Sequence, residues 1–197
     1  MQVRAVIIVG YSKSTFALAI NKLRSHGIDG VIIGSTVIML RIGVKELEDD
    51  IDLFTTSVSP IFDEDLIRDV ANTLGCFIGQ TEWGTPQLRC VLNSDEVVIE
   101  LYENMYDFYI PQQMIREAVS IRIEGVNIRL LKPGDYIILK AKAGREKDIE
   151  DLRAIAGLIK SSKVRISMEL VKDHLKLFEE YEAKLIRKRL KECGFKL

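Results

Sequence analysis

Two short apolar segments constrain this chain more than any other part of it: Val31-Ile32-Ile33-Gly34-Ser35, and Asp50-Ile51-Asp52-Leu53-Phe54. Three β-branched residues in a row mark 31–33 as a buried strand. That strand runs into Gly34, which lets a backbone approach a ligand closely, and Ser35, which offers a hydroxyl and N–H groups at a helix start, where anions bind. The chain then returns as a second apolar strand, closing near Thr55-Thr56. On an extended strand Asp50 and Asp52 share one face, while Ile51 and Leu53 share the other and can be buried. Two carboxylates roughly 6–7 Å apart along a strand repel each other unless a cation lies between them. Hard oxygen donors suit Mg²⁺ or Mn²⁺. The pair of segments therefore predicts a phosphate cradle beside a divalent-metal site.

The rest of the chain supplies the frame. Residues 3–9 are apolar and β-branched, either a strand or the first turns of a helix. Gly10 to Thr15 has a Lys-Ser after a glycine, but the glycines of a phosphate-binding P-loop are missing, so it reads as a loop with a helix cap at Ser14 or Thr15. Helices are expected over 16–26, with Phe16, Ala19, Ile20 and Leu23 inward, and over 36–42 and 63–74. Strands 76–82 and 87–92 flank the turn Trp83-Gly84-Thr85-Pro86, and Trp83 reads as a turn aromatic or a base-stacking platform. In the apolar strand 97–101, Glu100 stands where a core residue is expected. A lone carboxylate there is costly unless it reaches solvent, is paired or binds a metal. Beside a strand with two aspartates, a third metal-side carboxylate is the favoured reading. The aromatic-rich segment Tyr102 to Pro111 either borders the substrate site or packs Tyr106, Phe108 and Tyr109 into the core, and the core is the favoured reading.

Further on, 112–118 reads as a short helix and 120–123 with 126–130 as a hairpin around Glu124-Gly125. A helix over 135–143 carries Lys140 and Lys142, another covers 147–160, and a last one runs over about 167–192. His174 on that last helix reads as a packed histidine, and the basic run Lys184 to Lys191 as a solvated face or a contact with RNA or phosphate. A net charge of −1 gives no global basic field that would advertise nucleic acid. Cys76, Cys90 and Cys193 are far apart and odd in number, so neither a zinc site nor a disulfide framework is expected, which points to a reducing cytoplasm. No stretch is long and apolar enough to span a membrane.

Taken together, Gly34-Ser35, Asp50-Ile51-Asp52 and Glu100 resemble the nucleotidyltransferase fold. Leu131-Lys132-Pro133-Gly134-Asp135-Tyr136, Lys140-Ala141-Lys142-Ala143 and Arg145 to Leu152 resemble the matching region of the minimal nucleotidyltransferases related to the AbiEii toxins. The resemblance implies an α/β (α+β) fold, a mixed sheet flanked by helices with a C-terminal helical extension. The resemblance covers residues 16 to about 160, so a nucleotidyltransferase-like domain is expected over 1–160, and the final helix, outside the resemblance, is expected as an extension packed on it over 161–197. The same resemblance implies Mg²⁺ or Mn²⁺ held by Asp50, Asp52 and Glu100, and a nucleoside triphosphate held by Gly34, Ser35, Lys140 and Arg145. Asp148 would orient the lysine or touch the acceptor. The expected reaction moves a nucleoside monophosphate to an acceptor hydroxyl and releases pyrophosphate. The acceptor, an RNA end, a protein or a small molecule, stays open. A toxin-like role with an antitoxin partner is part of the same resemblance, and a catalytically silent binding or regulatory protein on this fold is the alternative. Lys140 is expected to face the cleft, so that its loss weakens triphosphate use with little change in melting temperature. Lys142, roughly 200° further round the helix, is expected to point away.

Overall fold

The computed structural model describes residues 10–105 and 108–197. The segment 3–9 and Tyr106 lie outside the described residues. Nine strands and eight α-helices are described, in the order β1 (Tyr11–Ser12), α1 (Lys13–Ser25), β2 (Gly30–Ile32), α2 (Thr36–Ile42), β3 (Glu46–Leu47), β4 (Ile51–Thr55), α3 (Glu64–Leu74), β5 (Phe77–Gln80), β6 (Pro86–Leu92), β7 (Asp95–Tyr102), α4 (Gln112–Arg116), β8 (Val119–Ile123), β9 (Val126–Leu130), α5 (Pro133–Ala143), α6 (Glu146–Lys160), α7 (Met168–His174) and α8 (Glu180–Glu192). Seven strands form one mixed sheet, ordered β5-β6-β7-β4-β2-β9-β8. β4 runs parallel to β7, and β2 parallel to β9, while the other neighbours are antiparallel. β1 and β3 make a separate two-residue pair.

Period-two alternation divides the sheet into two faces. Ile51, Leu53, Leu88, Cys90, Val97, Ile99 and Leu101 are buried on one face, against which α1 and α3 pack. Asp52, Glu100 and Gln87 project from the other, which α5 and α6 partly cover. Phe16, Ala19, Ile20 and Leu23 of α1 are buried as expected. The cap is Ser12, two or three residues earlier than expected: its Oγ accepts from the Thr15 N–H at 3.1 Å. Asp95 of β7 decides this, accepting from the Ser12 N–H at 3.0 Å and the Thr15 hydroxyl at 2.6 Å, a tie the local sequence does not reveal.

Two further expectations are corrected. The hairpin register sets Phe77 opposite Arg89, which brings Cys76 beside Cys90, and the two form a disulfide with Cα atoms 4.3 Å apart. Only Cys193 is free. The long terminal helix is broken: α7 ends at His174, a 3₁₀ turn covers Leu175–Leu177, and Phe178 is extended and buried before α8 begins. Asp135 Oδ1 lies 2.5 Å from His174 Nδ1, and this buried contact, with Phe178, bends the chain around α5. The buried face of α8 is then Ile186 and Leu190, whereas Tyr181 is 77 % exposed. Arg189 donates to the carbonyls of Ala141 at 2.7 Å and Lys142 at 2.8 Å, satisfying the C-terminal end of α5. Lys184 and Lys188 pair with Glu180 and Glu192 on their own helix, which leaves no unbroken basic stripe.

Candidate active site

A cavity of about 530 Å³ opens over the acidic face of the sheet. All eight residues singled out from the sequence line it: Gly34, Ser35, Asp50, Asp52, Glu100, Lys140, Arg145 and Asp148. β4 and β7 place Asp52 directly opposite Glu100. Asp50 stands one residue ahead of β4, at its entrance. Gly34 follows β2, and a β-carbon built on it would fall 1.6 Å from Asp52 Oδ2. Only glycine leaves room for that carboxylate. Ser35 opens α2, and its Oγ is buried without a hydrogen-bond partner. A buried hydroxyl left unmatched is costly, and a ligand oxygen would satisfy it.

The carboxylates strain against one another. Burial, then Glu100, Asp50 and Asp49, push the Asp52 carboxyl up to about 7. Asp50 is raised by burial and by Glu100 and Asp49, while Arg89 and Lys147 draw it back. Glu100 is fixed from two sides: Gln87 Nε2 donates to Oε1 at 2.6 Å, and the Tyr102 hydroxyl donates to Oε2. Burial, the Asp52 charge and the bond to Glu100 all keep the Tyr102 phenol protonated.

The basic side of the cavity is already engaged. Lys140 Nζ donates to Asp148 Oδ1 and Asp151 Oδ2, both at 2.8 Å. Burial opposes its charge, but the neighbouring Tyr136, Asp148 and Asp151 outweigh that and hold it protonated. Arg145 caps α6 through Asp148, whose Oδ2 accepts from the Arg145 N–H at 3.2 Å and Nε at 2.9 Å. Arg145 Nη1 also reaches Glu82 at 2.5 Å, joining the α5–α6 turn to the β5–β6 turn. Lys142 does not point away. It lines the same cavity, with Nζ 5.4 Å from the ring centres of Tyr109 and Phe178 and 3.4 Å from Glu182. Lys147 lines the cavity, exposed, and forms no salt bridge among the described residues.

An aromatic wall closes one side. Phe108 stacks on Tyr102 at 5.0 Å and 24°, and Trp83 meets Phe108 at 5.8 Å and 51°. Trp83 is the partly exposed turn aromatic expected, and it also forms part of this wall. Tyr109, expected in the core, is 47 % exposed at the rim. Sequence reasoning reached Tyr102 only as the start of an aromatic segment that could border the site, and passed over Gln87, Asp151 and Lys147. Tyr102 had a signal, lying two residues beyond Glu100 on the same strand face, and Asp151 had one too, three residues beyond Asp148 on a helix. Gln87 had none, because only cross-strand register brings it to Glu100.

The carboxyls of Asp50 and Asp52, pushed up by burial and by neighbouring carboxylates, fit a divalent cation. Among the described residues no group of three or more His, Cys, Asp or Glu side chains is arranged to hold one alone. Mg²⁺ commonly binds through one or two carboxylates completed by substrate phosphate oxygens, so Asp50 and Asp52 fit that use.

A family model described as "Nucleotidyl transferase of unknown function (DUF2204)" matches residues 12–192. Among solved structures, the chain is similar to an antigenic nucleotidyltransferase-like protein from Paracoccidioides brasiliensis, at 15% identity over 94% of this chain and 91% of that one, with a TM-score of 0.58. That likeness shows the nucleotidyltransferase fold. A looser one, TM-score 0.43 and 17% identity over 90% of this chain and 98% of the other, is to ANT(2")-Ia in complex with adenylyl-2"-tobramycin. No curated protein matches the chain.

Proposed function

The chain belongs to this family of nucleotidyl transferases, and from that premise we propose that it is a metal-dependent enzyme moving a nucleoside monophosphate from a nucleoside triphosphate to an acceptor hydroxyl. The observation that carries the reading is the packing of the Asp52 carboxylate on Gly34, in register with Glu100 and beside the unmatched Ser35 hydroxyl. Asp50 and Asp52 would hold Mg²⁺ or Mn²⁺, with Glu100 beside them; the ion, when bound, supplies charge neutralisation at the phosphates. Ser35 Oγ would meet a phosphate oxygen. Lys140, Arg145 and Asp148 form the opposite wall. Glu100, held by Gln87 and Tyr102, would accept the proton of the acceptor hydroxyl. The acceptor oxygen bonds to the α-phosphorus, the bond from that phosphorus to the bridging oxygen breaks, and pyrophosphate leaves with the electron pair.

The division into a nucleotidyltransferase-like unit over 1–160 and an extension over 161–197 belongs to the same proposal, supported by the Arg189 and His174 contacts to α5. A toxin-like role and an antitoxin partner rest on the stretch around Lys140 to Leu152 and are tested by growth arrest on expression. The acceptor classes in play are RNA, protein and small molecules.

The test is transfer of label from the four α-³²P nucleoside triphosphates, with Mg²⁺ or Mn²⁺, to total RNA, total protein and a small-molecule extract. Labelled product that disappears in Asp52→Asn and Glu100→Gln is the expected result. Saturable triphosphate binding without transfer to any acceptor would instead support a catalytically silent binding protein. The prior engagement of Lys140 and Arg145 by Asp148, Asp151 and Glu82 is the observation that favours this second reading.

A further inference from the structure

Among the described residues β5 is an edge of the sheet, and nothing in its own sequence discourages pairing. Natural edges are blunted with charge, proline or a bulge. Phe77-Ile78-Gly79-Gln80 has none of these. Phe77 is 82 % exposed and Ile78 46 %, on opposite faces of the strand.

We propose that β5 pairs antiparallel with β5 of a second copy of this chain, making a symmetric dimer with a continuous sheet. The register follows from the faces. A two-fold axis between antiparallel strands stands perpendicular to the sheet and keeps each face continuous, so opposed residues must come from the same face. Centring the axis on Ile78 sets Ile78 against its own copy on the face shared with Leu88, where α3 packs. It also sets Phe77 of each copy opposite Gly79 of the other, on the face that carries the active site. The large exposed ring thereby meets the one residue on the strand with no side chain. The fit is large against small, twice, by symmetry.

Gly79 continues a row across the sheet: Gly79 faces Gln87, Gln87 faces Glu100, and Glu100 faces Asp52. A β-carbon on Gly79 would lie 3.5 Å from Gln87 Oε1, so a partner ring over Gly79 adjoins the side chain that holds Glu100. Phe77 of the second copy thus stands on the face that carries the active site, about 14 Å from Glu100 at three strand spacings. A stable interface takes about 800 Å² from each partner. Phe77 and Ile78 supply its apolar centre, beside α3, which packs against β5. The dimer stands or falls independently of transfer activity.

Sedimentation velocity of the full chain at about 1–100 µM tests it. A species of twice 22.4 kDa is expected, shifting to 22.4 kDa in both Phe77→Lys and Ile78→Lys with unchanged circular dichroism. Ile78→Cys should be captured as a covalent dimer by a short bis-maleimide, whereas Tyr181→Cys, equally reachable on α8, should not. A monomer at every concentration overturns the proposal. So does a dimer that survives both lysine variants, a failure of Ile78→Cys to cross-link, or a monomer whose Phe77 is shielded from hydroxyl radicals until residues 1–9 are deleted.

Discussion

Asp52 Oδ2 occupies the space in which a β-carbon of residue 34 would stand, 1.6 Å from its ideal position. The glycine and the carboxylate are thus one feature. Gly34→Ala must displace Asp52 or the start of α2, an overpacking that costs about 1–3 kcal/mol. Transfer should fall on the order of a hundredfold or more. Shortening the side chain in Gly34→Ala/Asp52→Ala should recover the lost melting temperature without recovering activity. A double variant no more stable than the single one would place the strain elsewhere.

Asp52 also makes the metal-free protein sensitive to pH. Its carboxyl is raised from 3.8 to about 7, so between those values the folded state holds a proton that the unfolded chain has released. Its contribution to stability therefore falls as pH rises through about 4 to 7, and is level above that. Asp52→Asn should raise the melting temperature at pH 8 by a few degrees and change it little at pH 4. Mg²⁺ or Mn²⁺ should raise the wild-type melting temperature at pH 8, and less so in the variant. An equal metal response in both, followed by thermal denaturation, would move the ion away from Asp52.

Much of this arrangement was legible in the sequence because its signals are local. Glycine before a helix, aspartates two apart and a carboxylate inside an apolar strand each announce themselves within a few residues. What was missed depends on distant register or packing. Gln87 reaches Glu100 only through the β6–β7 pairing, and Cys76 reaches Cys90 only through the hairpin. The broken terminal helix has the same origin: periodicity continues through 167–192, but the pull of Asp135 on His174 overrides it. Lys142 was misplaced because helical angle alone ignores the rim residues Tyr109 and Phe178, which draw its side chain to the cavity.

Lys140 is built into the wall through Asp148 and Asp151, so its loss is expected to cost more stability than the little change in melting temperature read from the sequence. Asp148 is fully buried, and Lys140 and Arg145 together hold its carboxyl below the usual range despite that burial. Lys140→Ala strips one of the two cations and should cost about 1–3 kcal/mol. Lys140→Ala/Asp148→Asn should regain part of that loss. Urea unfolding of the four proteins in the cycle measures the coupling, and additive losses would mean that the pair is not energetically linked.

The disulfide sets the thiol count. Denatured protein prepared without reductant should titrate one thiol, Cys193, and three after reduction. Closing a loop of about 15 residues stabilises by about 3 kcal/mol in the chain-entropy description, so reduction or Cys76→Ser should lower stability by up to that amount. Three thiols in freshly isolated protein would restore the reducing setting inferred from cysteine spacing.

Lys147 provides the most direct test of how the cavity meets a triphosphate. Lys140, Lys142 and Arg145 each have carboxylate partners, so a phosphate would have to compete for them. Lys147 lies on the same lining, forms no salt bridge among the described residues, and already draws Asp50 toward its charged form. Its charge is the one free to answer added negative charge without breaking an existing pair. Lys147→Ala should therefore raise the KM for triphosphate about tenfold, with kcat less affected and stability changed by less than about 0.5 kcal/mol. Lys142→Ala should instead lose stability, since its ammonium bridges two aromatic rings and Glu182. Lys147→Arg should keep most of the binding. If Lys147→Ala leaves KM unchanged while Lys140→Ala raises it, the phosphates are met by the wall itself, and Asp148 and Asp151 must yield Lys140 to the substrate on binding.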